Sequence, residues 1–337
     1  MQNLERAGNN LLTVTAYGDA AGLPVETWTA QQIADKYGRL DHLVDPKDNL
    51  YFKGETSAGM WSDDTQLSLA VAEGLMAADG FDLDTQAEFF AAAYHESVFV
   101  EHKGKRAPRG WGGSTVNSAL RLINGTSPEK SGERGGVGNG VLMKLGPLVL
   151  WQVARATPLN DCYKQYDALT TMTHDDNMAR WATRIHGDLL RHVLQHPDTQ
   201  PGIMAYIVND AAVRHERRLD IGNEGSTLLD YLQHTDLVGK PERILDHTDG
   251  KGFYAPQTLA MAYGVLLASQ DDFTNTVYAA VNLGGDTDSI ASIVANTFNF
   301  NSKGDLLLPE DSKKLHDIER LSRVSAAFTM QALKGAK

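Results

Sequence analysis

Apolar side chains recur with a helical period through most of the chain, at Leu67, Ala70, Val71, Gly74 and Leu75 and again at Ile290, Ile293, Val294, Thr297 and Phe298. Spacing of three and four residues lays one face of a helix against a core. The same pattern predicts helices over 29–37, 84–97, 114–123, 140–155, 175–194, 201–218, 256–269, 273–281 and 312–333, with two more starting near Gln66 and running to Phe298. No stretch alternates with the period of two that a half-buried strand requires. Loops rich in glycine, proline and charge separate the helices at 103–113, 124–138 and 238–252, and no fixed-period repeat is present. The expectation is an all-α fold, a single compact multi-helix domain over 1–337 with its core at about 10–303 and a C-terminal helix at about 312–333.

Composition narrows the function classes. With 337 residues and 42% apolar side chains the chain can bury a large core, which excludes disorder and a stapled mini-protein. Its net charge of −12 leaves no electrostatic footprint for general nucleic-acid binding or for an anionic membrane, so a phosphate-bearing ligand must be met by a local device. Cys162 has no cysteine to pair with, and the longest apolar run, Val141 to Val153, is broken by Lys144 and Gln152 and is too short to span a bilayer. Met1 to Asn10 are polar where a signal peptide would be apolar. A reducing cytoplasm is the expected location, with no membrane partner.

Two acidic clusters carry the candidate chemistry. Ser62-Asp63-Asp64-Thr65 precedes the helix expected near Gln66, and Gly284-Gly285-Asp286-Thr287-Asp288-Ser289 precedes the helix that runs to Phe298. Taken alone, each is equally an N-cap, because Ser and Asp accept the orphan N–H bonds of a first turn. On a formed helix Asp286 and Asp288 would point about 200° apart, so convergence on one ligand requires a turn, which Gly284 and Gly285 allow. Brought together, these carboxylates would repel and their pKa values would rise unless a cation stood between them. An oxygen-only donor set without His or Cys selects Mg²⁺, Mn²⁺ or Ca²⁺ over zinc, and neither loop has the EF-hand spacing. Two glycine-rich turns, Arg109-Gly110-Trp111-Gly112-Gly113-Ser114-Thr115 and Gly136-Val137-Gly138-Asn139-Gly140, each lead into an expected helix. Backbone N–H groups there can cradle a diphosphate without long-range charge, although such loops are also plain connectors. Trp111 either stacks on a base or packs into the core.

Together with three further segments, these residues resemble the ADP-ribosylglycohydrolase family from Gly18 to about Phe300. Gly18 to Glu26 is similar to the family's opening Gly-Asp-Ala-x-Gly-x-x-x-Glu, and Ser62 to Thr65 to its Thr/Ser-Asp-Asp-Thr. Gly138 to Lys144 is similar to Gly-Asn-Gly-x-x-Met-Arg, Thr173-His174 to the Thr-His pair, and Gly284 to Ser289 to Gly-Gly-Asp-Thr-Asp-Thr/Ser. The resemblance implies an all-helical fold with a central cleft holding two divalent cations, Mg²⁺ or Mn²⁺, on Ser62, Asp63, Asp64, Asp286, Asp288 and Ser289. It implies catalytic roles for Glu26, as a proton shuttle, and for Asp63 and Asp288 through the metal. Substrate contacts are expected at Gly112, Gly113, Ser114, Gly138, Asn139, Gly140 and His174, and Asp19 is expected to support either the metal site or the substrate. Outside the resemblance, Gly18-Asp19 is a turn or cap, Glu26 a surface carboxylate and His174 a cap at the entrance of an Asp-rich helix.

Departures from the pattern also matter. Lys144 replaces the usual arginine, Val137 stands where some members have an aromatic, and Gly110 to Gly113 lacks the Asp of the nitrogenase-activating type, with Glu101 a nearby substitute. The leading expectation is a metal-dependent hydrolase that removes ADP-ribose from a modified protein, from an arginine side chain above others. The missing Asp, with the long segments before Gly18 and around Pro241 to Gly252, inclines this towards immunity against an ADP-ribosyltransferase toxin, which would then be a partner, or towards a general arginine-directed enzyme. The alternatives are a module that blocks a toxin by docking, independently of catalysis, and a hydrolase of another ADP-ribose conjugate or of a different sugar phosphate or nucleotide.

Overall fold

The computed structural model describes residues 2–49, 55–102, 105–222, 224–233, 237–268 and 272–334, without the side chains of 101, 102, 105–107, 224 and 225. Fourteen helices among these residues carry the architecture: α1 Gln2–Gly22, α2 Ala30–Tyr37, α3 Asp63–Ala78, α4 Leu83–Glu96, α5 Gly113–Ile123, α6 Gly146–Ala154, α7 Leu159–Thr171, α8 Asn177–Gln195, α9 Pro201–Leu219, α10 Glu224–Asp230, α11 Ala255–Ala268, α12 Phe273–Val281, α13 Thr287–Asn301 and α14 Ile318–Leu333. Among them no helix is long and apolar enough to cross a membrane. The fold is all-α, as expected. It also carries an antiparallel hairpin of β1 Phe99–His102 and β2 Lys105–Pro108, and a two-residue parallel pair of β3 Glu133–Arg134 and β4 His174–Asp175. These strands are too short to show any period in the sequence.

α1 is the central element, and the sequence reading missed it. Its first turns are polar, but from Leu11 to Gly22 every residue is buried, so this half reads as an apolar block with no amphipathic stripe. Gly18 and Asp19, expected in a turn, lie inside this helix. α1 packs on α13 more closely than side chains normally allow. A Cβ on Gly18 would stand 2.5 Å from the Ala291 carbonyl oxygen, and one on Gly22 would stand 2.3 Å from the Thr287 backbone. Hydrogen bonds lock the pair: Thr287 Oγ1 donates to Gly22 O at 2.8 Å, and Ser292 Oγ to Thr15 O at 3.0 Å. The C-terminal end of α1 is thereby fixed beside the N-terminal end of α13.

Local chemistry sets the other boundaries. α2 begins at a capping box between Thr29 and Gln32, and α12 runs as expected from Phe273. The helix expected over 140–155 divides into a short 3₁₀ turn at Asn139–Val141 and α6, which restarts at Gly146 with Pro147 in its first turn. The last helix begins at Ile318, because Asp317 takes a left-handed backbone with φ 52°. α3 starts at Asp63, three residues before the expected Gln66, with Ser62 as its N-cap. α7 and α10 were not foreseen.

Glycine to alanine inside a helix ordinarily stabilises by about 0.5–1 kcal/mol. At Gly22 the sign should invert: Gly22→Ala is expected to lose about 1–3 kcal/mol in urea denaturation because Thr287 leaves no room for the methyl group.

Candidate active site

Both acidic turns end on the same point, the meeting of the α3 and α13 N-termini. Gly284 and Gly285 hold φ of 78° and 83°, a left-handed turn in which added Cβ atoms would stand 2.4 Å from Trp28 O and 2.5 Å from Gly250 O. Asp286 therefore caps α13 in a non-helical conformation, while Asp288 lies within the first helical turn. That staggering makes the two carboxylates converge where a continuous helix would splay them. Glu26 approaches from the other side on a segment laced to the same turn, with Thr27 N donating to Gly285 O at 2.7 Å and Gly285 N to Trp28 O at 2.8 Å. Thr27 is β-branched and sits at φ 71°, a strained conformation that these bonds maintain. Oxygens of Glu26, Asp286 and Asp288 lie within 4.8 Å of one another, a spacing at which one ion could be held.

Asp63 and Asp64 face this group across the cleft. Ser289 Oγ donates to Asp64 Oδ2 at 3.2 Å and Ser62 Oγ to the same oxygen at 3.3 Å, so both hydroxyls sit on the Asp64 carboxylate. Asp64 Oδ1 is buried and has no hydrogen-bond partner among the described residues. An orphaned carboxylate oxygen beside four other carboxylates is what a cation would satisfy. The donor set, all oxygen, suits a hard divalent ion.

The electrostatics agree. Glu26, Asp63, Asp64 and Asp286 are all pushed well above the usual carboxylate range, first by burial and second by the charge of Asp288. Asp288 itself is raised by burial. Lys144 is a cation that acts on the cluster, at Asp63, and burial has lowered its own pKa to about 7. Burial and mutual repulsion both favour the protonated forms of these acids over the charged ones, and added positive charge opposes that.

The opposite wall of the cleft, which encloses about 660 Å³ open to solvent, is formed by Gly110, Gly112, Gly113, Ser114, Thr115, Gly138, Asn139, Gly140, Met143, His174 and Phe253. Every glycine-turn residue expected to touch a ligand is there. Asn139 also donates to Asp286 Oδ2 at 2.6 Å, which joins the glycine wall to the acidic one. His174 lies on β4 rather than at a helix entrance; the helix cap is Asp176.

Of the two roles expected for Asp19, its position fits support of the acidic turn and not contact with a ligand. It is fully buried behind α3, where its carboxylate accepts from Ser62 N at 2.8 Å, Thr65 N at 3.0 Å and Thr65 Oγ1 at 2.6 Å, and it does not line the cleft. It supports the turn that aims Asp63 and Asp64, and burial together with the Asp288 charge raises its pKa to about 7. Trp111 packs into the core: its ring meets Phe90 and Tyr94, and Nε1 donates to Gln66 at 2.9 Å. The side chain of Glu101 lies outside the described residues. Phe253 was missed, although a Gly-Phe-Tyr step after a glycine-rich loop signals an aromatic held at a turn. Its side chain is exposed at the cleft.

Fold and cleft together define an all-helical protein with a buried carboxylate site facing a glycine wall. A profile of the ADP-ribosylglycohydrolase family matches residues 5–298, and the chain belongs to that family. Membership makes it a hydrolase of ADP-ribose conjugates in a family that is generally metal-dependent. An uncharacterized protein of Archaeoglobus fulgidus is 25% identical over 292 residues, 86% of each chain, and the uncharacterized protein YegU of Escherichia coli K12 is 26% identical over 308 residues, 82% of each chain. A solved structure of an ADP-ribosylglycohydrolase-related protein complex is 22% identical with a TM-score of 0.70, over 98% of this chain and 100% of that one, and shares the fold.

The raised pKa values give the pH dependence a sign. A carboxyl group whose folded pKa exceeds its unfolded value near ~4 stabilises the fold while protonated and loses that contribution as pH rises through the folded pKa. A bound cation must displace those protons, so its stabilisation should grow over the same interval. The rise in Tm on adding Mn²⁺ is expected to be small at pH 5 and several degrees larger at pH 8. The buried histidines, common to both forms, cancel in this difference. A shift that is equal at both pH values would contradict the protonation of the cluster.

Proposed function

We propose that the protein is a divalent-cation-dependent hydrolase that removes ADP-ribose from modified arginine side chains, with two ions, Mg²⁺ or Mn²⁺, held by Asp63, Asp64, Asp286 and Asp288 and flanked by the hydroxyls of Ser62 and Ser289. The observation that carries this reading is the buried, uncompensated carboxylate cluster with its orphaned Asp64 oxygen. Bound cations would supply Lewis acidity and would make water a nucleophile at neutral pH.

The chain's own residues account for the rest. The glycine turn at 112–114 presents backbone N–H groups at the entrance of α5, suited to a diphosphate in a protein whose net charge would otherwise repel one, and the turn at 138–140 lines the same cleft with Asn139 N given to Phe253 O. Asn139 orients Asp286, and Asp19 orients the Ser62–Thr65 turn. Glu26 is half-buried at the cleft wall, and with its pKa raised it can hold a proton for the leaving nitrogen and return it. An arginine leaving group is a cation, and a cleft lined by carboxylates favours its approach. Immunity to an ADP-ribosyltransferase toxin is the role this chemistry would serve, in the cytoplasm where the modified target resides.

Incubation with ADP-ribosyl-arginine tests the proposal. Release of ADP-ribose is expected with Mg²⁺ or Mn²⁺, to be abolished by chelator and to fall at least about a hundredfold in Asp288→Asn. Absence of release by the intact chain with either metal would overturn the arginine reading. Asp19→Asn, which touches no ligand, is expected to weaken Mn²⁺ binding by about 10–100-fold in calorimetry, because the turn it braces loses its anchor.

A further inference from the structure

We propose that Lys144 and Thr173 are positioning residues that hold His174 in its Nε2–H tautomer, so that the ring presents one N–H donor to the cleft. The three side chains form a buried chain behind the glycine wall. Lys144 Nζ donates to Thr173 Oγ1 at 3.2 Å, and Thr173 Oγ1 stands 2.9 Å from His174 Nδ1. Lys144 is 1% exposed and lies over the Phe90 ring with Nζ 5.4 Å from its centroid.

Proton inventory sets the direction. Below the pKa of about 7 to which burial brings Lys144, the group is an ammonium with only donors, so at pH 6 the Thr173 oxygen accepts from Lys144 and its single proton remains to be given away. The competing acceptor, Thr170 O, is 3.4 Å off, against 2.9 Å for Nδ1. A hydroxyl polarised by an ammonium is a stronger donor, which favours the shorter of the two bonds. Nδ1 is then an acceptor and the ring proton sits on Nε2.

Nε2 faces the ligand side. A Cβ on Gly138 would stand 3.3 Å from Nε2, and one on Gly140 would stand 3.4 Å from Cε1, so this edge of the ring lies against the turns that form the cleft wall. Burial, and after it the charge of Lys144, lower the His174 pKa to about 3, which keeps the ring neutral. A neutral ring with a fixed donor can bind a phosphate or ribose oxygen without titrating near neutrality. That a nucleoside diphosphate sugar is the ligand rests on the function proposed above; the tautomer does not.

Long-range ¹H–¹⁵N correlation on the histidine-labelled full chain at pH 6 decides it, with His174 assigned by its loss in His174→Gln. The expected result is a proton on Nε2 in the wild type and in Thr173→Ser, which keeps the hydroxyl, and a mixture of tautomers in Thr173→Val and Lys144→Met. A wild-type ring protonated on Nδ1 or on both nitrogens, or a pure Nε2–H form persisting in Thr173→Val, would overturn the proposal. If Lys144→Met does not fold, the two Thr173 variants still decide. Calorimetry with ADP-ribose should show affinity about tenfold weaker in Thr173→Val and unchanged in Thr173→Ser. Failure of the wild type to bind ADP-ribose would count against the proposed substrate, while the spectrum would still decide the tautomer.

Discussion

Negative charge gathered out of water is the constraint on which the rest of the structure depends. Asp19, Glu26, Asp63, Asp64, Asp286 and Asp288 are brought together by four separated stretches of chain, and Lys144 is a cation that acts within the cluster. Such an arrangement is costly in the metal-free protein and is relieved by protons or by hard cations. Either way the cluster is held by the fold against its own repulsion. The bonds from Ser62, Ser289, Asn139 and the Thr65 turn are the restraints that do so.

The scaffold achieves this through one unusually close helix pair. Gly18 and Gly22 let α1 approach the α13 backbone, which sets the Asp286–Ser289 turn at the end of α1, while Asp19 on the same helix reaches out to brace the α3 entrance. One helix therefore sets the relative placement of both acidic turns. The strained Thr27 then swings the chain back so that Glu26 closes the ring of carboxylates. The glycine wall completes the cleft from a further pair of turns, tied to the acids by Asn139.

Much of the fold was legible because amphipathic helices such as α8 and α12 carry their period and their caps in the sequence. α1 was not, for a physical reason: a helix buried on every side along its C-terminal half has no amphipathic stripe to give the period away. The carboxylates were legible as ligand candidates because two acidic, hydroxyl-bearing turns before apolar helices are chemically conspicuous. What could not be read was their geometry. Asp19 looks like its neighbours in the sequence but points away from the cleft, and Glu26 joins Asp286 and Asp288 only through the fold. The contact of Lys144 with Thr173 likewise comes only from tertiary placement, although the motif that contains Lys144 is visible in the sequence.

Anomalous scattering from a crystal equilibrated with Mn²⁺ tests the central claim most directly, because it locates the cation with no reference to substrate. Peaks between the Asp63–Asp64 and Asp286–Asp288 carboxylates, with Asp64 Oδ1 among the ligands, are the expected result. A cluster that stays metal-free at neutral pH, its acids paired with one another through shared protons, would contradict it.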